Sequence, residues 1–291
     1  MTPLRTRIEQ AHDRRQPLIV PGAVDTITAL LIQQLGFEAV YVSGAGLANS
    51  RLGVPDVGLV TLTEMVQQVD AMANAIDVPL VVDADAGYGN ALNVYRTVRL
   101  LEGAGAAALQ LEDQTSPKRC GHFDGKEVVP THEMVAKVKA ALDARRQDTL
   151  IIARTDALAV LGLQQALERV AAYAAAGADL LFVEAPTNVE DLRAIPSLVP
   201  GLHVANMVEG GKSPLLSQRE LGEMGYALVL YANSAMRASL QNAREVLQHL
   251  REAGSTQQVL GRMISWEERQ RLTRRETFDA LGRRYATTEP E

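Results

Sequence analysis

Charged and amide side chains close a series of short apolar runs, where they could act on one substrate. The run Leu80–Asp83 continues to Asp85, Ala107–Glu112 is followed by Asp113, and Leu150–Arg154 stands two residues before Asp156. Leu180–Glu184 and Leu202–Asn206 likewise end in a carboxylate and an amide. Strand side chains alternate between two faces, so Asp83 and Asp85, two residues apart, share one. A helix N-cap accounts for an acidic residue at one such position, but not for five runs in a row. Three converging carboxylates, Asp83, Asp85 and Glu112, repel one another and call for a cation. Oxygen ligands without a histidine pair select Mg²⁺, with Mn²⁺ as a substitute, over zinc. Such an ion keeps water positions open for a bidentate α-hydroxy- or α-keto-carboxylate, and Arg154 supplies a planar cation for a carboxylate. The segment Tyr41–Gly46 offers a hydroxyl and closely spaced N–H groups that could cradle a carboxylate. It reads equally well as an ordinary glycine turn.

The longest interruption of the pattern is 114–130, rich in Pro, Gly and charge. Loops of this length in compact folds are often lids over a site. It carries the chain's one cysteine, Cys120, between Lys118-Arg119 and Gly121-His122. Neighbouring cations favour the thiolate, which suits Cys120 to proton transfer or nucleophilic attack. One cysteine with one nearby histidine is too few ligands for a zinc site.

The elements that must position these groups follow from periodicity. Eight short strands are expected, at Leu18–Val20, Ala39–Val42, Leu80–Asp83, Ala107–Glu112, Leu150–Arg154, Leu180–Glu184, Leu202–Asn206 and Ala227–Leu230. Between them lie helical patterns at Ala23–Leu35, Leu62–Ile76, Ala91–Glu102, His132–Arg145, Leu163–Ala176 and Gln218–Met224. Eight short strands separated by helical stretches predict an α/β fold, a (β/α)₈ TIM barrel with its active site at the carboxyl ends of the strands. An open doubly wound sheet lacks support, because no glycine-rich phosphate fingerprint follows the first strand. A single domain over residues 1–291 is expected, with a helical extension from about 255 that includes a charged helix Ser265–Tyr285. A net charge of -6 and 4% aromatic residues give no reason to expect nucleic acid or an anionic membrane as partner. No apolar run is long enough to cross a bilayer. The charged N-terminal segment lacks the apolar core of a secretion signal, and the lone cysteine suits a reducing compartment, so a cytoplasmic location is expected.

Lys118-Arg119-Cys120-Gly121-His122 resembles the signature loop of the isocitrate lyase/phosphoenolpyruvate mutase superfamily. The likeness extends to Val82–Asn90, Leu111–Gln114, Ala153–Ala157 and Glu209–Pro214. It implies a Mg²⁺-dependent barrel that binds an α-keto or enolate product. It also implies a homotetramer in which a helix beyond the barrel is exchanged between subunits. Carried over position by position, Ser43, Gly44 and Ala45, with Tyr41, hold the pyruvate-like part. Asp83 and Asp85 hold Mg²⁺, and Glu112 and Asp56 reach it through water. Gly121, His122, Arg154, Glu184, Asn206 and Arg237 contact substrate. The reaction implied is cleavage of the C2–C3 bond of a substituted malate. Glu112 or Asp56 takes the hydroxyl proton, and Cys120, with His122 beside it, delivers a proton to the departing fragment.

Departures from the methylisocitrate lyase pattern bear on substrate. Phe123 stands where arginine follows the Cys-Gly-His motif, Met207–Lys212 replaces another polar segment, and Trp266 lies near a further expected arginine. Fewer cations and more apolar surface suit a malate with one carboxylate replaced by alkyl, of the 2,3-dimethylmalate type. The alternatives are a carboxyphosphonoenolpyruvate mutase-like phosphonate enzyme and an oxaloacetate decarboxylase, although Cys120 argues against the latter.

Overall fold

The computed structural model describes residues 2–121, 123 and 125–286. Eight parallel strands close into a barrel in sequence order. They are β1 (Leu18–Ala23), β2 (Val40–Val42), β3 (Leu80–Asp83), β4 (Ala106–Glu112), β5 (Leu150–Thr155), β6 (Leu180–Val183), β7 (His203–Asn206) and β8 (Tyr226–Tyr231). Closure is made by β1 on β8, with Leu18 opposite Leu228 and Val20 opposite Leu230. The expected helices are found at Thr26–Gln34, Leu62–Ala73, Ala91–Gly103, Thr131–Ala144, Leu163–Ala175 and Gln218–Met224. Capping boxes start three of the helices, with Thr61 and Glu64, Asn90 and Asn93, and Ser217 and Glu220 as the reciprocal pairs.

Side-chain alternation divides the core in two. Val82, Leu109, Leu111, Ile151, Ala153 and Val183 point outward to a large apolar layer beneath the helices. Tyr41, Val81, Ala108, Ile152, Phe182 and Val204 point into the barrel. Two residues further along each inward register stand Ser43, Asp83, Gln110, Arg154, Glu184 and Asn206, so one parity rule fills the barrel with apolar groups and crowns it with polar ones. A helix that the sequence pattern did not signal, Leu4–Asp13, adds Leu4 and Ile8 to the inner cluster and covers the opposite mouth.

The chain divides into two compact units, Met1–Ala235, which contains the whole barrel, and Met236–Glu291. The second unit is built from the long helix Ser234–Ala253, which runs on from the barrel unit, a 3₁₀ turn Gln257–Arg262, and helices Trp266–Leu272 and Arg275–Tyr285. The single helix expected over Ser265–Tyr285 is interrupted at Arg274, whose φ of 56° is left-handed.

Candidate active site

The crown of the barrel is a connected polar array. Tyr41 donates its hydroxyl hydrogen to Gln110 Oε1 at 3.2 Å, and Gln110 Nε2 donates to Asp83 Oδ1 at 3.4 Å. The other oxygen of Asp83 accepts from the Gly44 N–H at 3.2 Å, and the Asp85 N–H reaches Asp83 Oδ1 at 3.1 Å. A Cβ at Gly44 would lie 3.0 Å from Asp83 Oδ2 and 3.2 Å from Asp85 Oδ1, so glycine lets the β2 turn approach both carboxylates. Ser43 uses its hydroxyl to accept from Gly46 N at 3.0 Å, which fixes the turn containing Gly44 and Ala45. This brings together Tyr41, Ser43, Gly44, Ala45, Asp83 and Asp85. Gln110, a neutral side chain inside a strand, was not expected from the sequence, and nothing in its local pattern distinguishes it from core.

Asp85 is held at φ 47°, unusual for a residue with a side chain, and is buried. Burial pushes its carboxyl up to about 6, against the pull of the Lys118 ammonium 2.7 Å away. Lys118 also pairs with Asp56. The loop lysine that the sequence placed beside the thiol thus brings its positive charge to the acidic cluster. Glu112 is buried, and burial pushes its carboxyl well above the usual range despite Arg154 Nε 3.4 Å from Oε2. Its Oε1 has no hydrogen-bond partner among the described residues. Among those residues no group of three His, Cys, Asp or Glu side chains forms a ready-made metal cage. A site of one or two direct carboxylates completed by water and substrate is nevertheless the form that Mg²⁺ takes, and Asp83 and Asp85 with the orphaned Glu112 oxygen nearby have its donor chemistry. A cavity of about 310 Å³ lined in part by Asp85, Tyr88, Lys118, Glu133 and Lys137 adjoins this cluster.

Arg154 is buried over the Phe182 ring, 5.3 Å from its centroid. Asp156 receives it through two hydrogen bonds, from Nε at 2.9 Å and Nη2 at 3.1 Å. Burial would raise the Asp156 carboxyl, but Arg154 and Lys126 outweigh it and hold it at about 2. Glu184 lies 3.9 Å from Arg154 Nη1 and accepts from Asn206 Nδ2 at 3.3 Å. Asp113, next to Glu112, has the opposite parity. It binds Thr155, Tyr173, Arg169 and the Asp156 N–H beneath the site, and so braces the end of β5.

The described residues of the 114–130 loop lie against this array at Lys118, Gly121 and Lys126. Its base is a short antiparallel bridge between Gln114 and Val128. Cys120, partly exposed, donates its N–H to the Asp56 carbonyl at 3.2 Å. Gly121 is so close to the crown that a Cβ there would fall 2.3 Å from Arg154 Nη2 and 2.5 Å from Glu184 Oε1. Phe123 is 49% exposed. His122 lies outside the described residues. Arg237 belongs to the Met236–Glu291 unit, on the helix Ser234–Ala253. There Trp266 stacks under Arg269, 4.3 Å from the ring centroid.

Known proteins bear out this architecture. The family model described as phosphoenolpyruvate phosphomutase matches residues 8–251. The chain is 44% identical to the 2,3-dimethylmalate lyase of Eubacterium barkeri, over 97% of this chain and 98% of that protein. It is 42% identical to the 2-methylisocitrate lyase of Aeropyrum pernix, over 94% of this chain and 86% of that one. Among solved structures, an oxaloacetate acetylhydrolase in complex with the inhibitor 3,3-difluorooxalacetate superposes with a TM-score of 0.92 at 32% identity, covering 99% of this chain and 97% of that chain. With a family model covering most of its length and relatives above 40% identity from end to end, the chain belongs to the phosphoenolpyruvate mutase/isocitrate lyase superfamily.

Proposed function

We propose that this chain is a carbon–carbon lyase that cleaves a 2,3-dialkylmalate to pyruvate and a carboxylic acid. The observation that carries the reading is the seating of the Cys120–Gly121 segment on Arg154 and Glu184, which sets a thiol-bearing loop over a carboxylate-binding crown. Arg154, oriented by Asp156, binds a substrate carboxylate, and the Ser43–Ala45 turn receives the pyruvate-like end. Asp83 and Asp85 would hold Mg²⁺, which would supply positive charge to the 2-alkoxide as its proton leaves. Glu112, buried with an unsatisfied oxygen, takes the proton of the 2-hydroxyl; Asp56, its alternative, is engaged by Lys118. The hydroxyl oxygen's electron pair forms the C=O of pyruvate as the C2–C3 bond breaks. The C2–C3 pair passes to C3 and its carboxylate, and the Cys120 S–H protonates C3, leaving a thiolate. Proton return from Glu112 to the thiolate through solvent completes the cycle.

Phe123, standing where methylisocitrate lyases carry a cation, suits a dialkylmalate, whereas the third carboxylate of methylisocitrate requires that cation. An unpaired buried charge costs several kcal/mol, so the preference in kcat/KM reaches about a hundredfold. Pyruvate release from 2,3-dimethylmalate and 2-methylisocitrate, coupled to lactate dehydrogenase, tests this. Faster cleavage of methylisocitrate would overturn the substrate assignment. The likeness to oxaloacetate acetylhydrolase favours a second reading, hydrolysis of oxaloacetate, detected as oxalate and acetate without pyruvate. Phosphorus NMR on phosphonates tests the mutase alternative.

Self-association belongs to the same proposal. The second unit carries Leu240, Leu247, Leu260, Trp266 and Phe278, all more than half exposed, and its long helix buries no residue. A face of this kind calls for a partner. A homotetramer with exchanged helices supplies one, in the reducing cytoplasm that a lone thiol suits.

A further inference from the structure

Lys126 has no part in the chemistry above, yet its ammonium side chain is only 1% exposed. Burying an ammonium is costly unless its hydrogen-bonding capacity is used. Two acceptors use it: Asp156 Oδ1 at 2.9 Å, and the backbone carbonyl of Gly121. Asp156 is paired through two hydrogen bonds with Arg154, which also faces Glu112 and Glu184, so charge balance accounts for an ammonium beside Asp156 but not for its hold on a neutral backbone group. The distinctive contact is therefore the one to the Gly121 carbonyl.

We propose that Lys126 is a positioning residue, a latch that ties the peptide following Cys120 to the Asp156–Arg154 pair and so holds the thiol over the substrate site. This rests on the lyase reading of the site. Other ties support the loop at other points. Gln114 grips both backbone groups of Arg119, at 2.8 and 2.9 Å, and Lys118 pairs with Asp56 and Asp85. Lys126 differs in joining the loop to the arm that orients the substrate-binding guanidinium. Closing the loop over substrate and aligning Arg154 thereby become one event. Gly121 complements the latch: it lies so close to Arg154 and Glu184 that a Cβ there would force those side chains to move.

Lys126→Met, which keeps the length and removes the charge, is the test, with Lys139→Met on the exposed side of helix Thr131–Ala144 as control. Cys120 is the only cysteine, so the rate of its reaction with iodoacetamide, read by mass spectrometry, reports loop position without turnover. The expected result is alkylation about ten- to a hundredfold faster than wild type, the scale of losing a charged hydrogen bond. Protection by Mg²⁺ with oxalate, a planar dianion of pyruvate-enolate size, should weaken. Because Arg154 keeps Asp156, kcat should fall more than KM rises, with the melting temperature close to that of the control. Alkylation within twofold of wild type, or a loss of kcat without faster alkylation, overturns the latch. Should Lys126→Met not fold, Lys126→Gln, which retains an amide donor without charge, carries the same readouts. If the wild type cleaves no malate, the lyase reading fails while the alkylation rates still decide the latch.

Discussion

Cys120 sits at the tip of a loop whose backbone is fixed by Asp56 on one side and by Lys126 on the other, so its reactivity is a matter of placement as much as of acidity. A serine there would occupy nearly the same volume but could not cycle between acid and conjugate base near neutral pH. Cys120→Ser should lose two to four powers of ten in kcat, about the usual span for general-acid catalysis, while still binding oxalate with Mg²⁺. Near-normal turnover would leave the thiol a bystander. The neighbouring carboxylates lead to a second expectation. Asp83 and Asp85, which both lie against the Gly44 turn, need a counter-ion beyond Lys118 once substrate brings further negative charge. EDTA should abolish turnover, Mg²⁺ or Mn²⁺ should restore it, and Asp83→Ala should stay folded but unresponsive to added metal. Full activity after thorough chelation would exclude a metal-assisted reaction.

Strands were legible in the sequence because each is a short apolar run, four of them closed by a charged residue and one by an amide, and the eight expected positions are those found, to within a few residues at their ends. Parity within them carried further information, since the residues at i+2 from inward apolar groups are the crown. The less legible parts have physical reasons. Helix Leu4–Asp13 shows just two buried positions in a charged stretch, and helix Val189–Leu198 contains Pro196. The partners of Lys126 are a loop carbonyl and a carboxylate 30 residues away, which no local spacing encodes. An element whose consequence lies in pH rather than catalysis is β7. Its first residue, His203, is fully buried, donates Nε2–H to the Val199 carbonyl at 2.7 Å, and meets Tyr226 edge-on. Burial lowers its protonation below the ordinary value of 6.5. The unfolded chain therefore binds a proton that the folded chain refuses, and stability falls as pH drops below 6.5, by up to about 1.4 kcal/mol per unit until the folded group titrates. Thermal melts at pH 7.5, 6.5 and 5.5 should show this decline in wild type and a shallower one in His203→Gln. Parallel profiles would assign the acid sensitivity elsewhere.

The two units follow opposite rules. Met1–Ala235 encloses its apolar residues in two layers around the strands, whereas among the described residues of Met236–Glu291 only Leu272 is buried. A unit with so little interior of its own is expected to draw stability from another copy. Leu247→Asp, on the long helix, should reduce the mass seen by light scattering from tetramer towards smaller species. Thermal stability should become dependent on protein concentration. An unchanged tetramer would remove this face from the interface, and a wild type that is monomeric at micromolar concentration would remove the assembly itself.

The pairing of β1 with β8 has a consequence for biogenesis. Leu18 and Leu228 are more than two hundred residues apart in the chain, and ribosomes add about 5–20 residues per second. For at least ten seconds or so of synthesis on that scale, the nascent sheet therefore keeps two open edges. Closure of the ring, and with it the convergence of side chains drawn from different strands and loops, waits for the last strand to emerge. Chaperone protection during that interval, rather than stability after it, is where a destabilised variant of this barrel would first be lost.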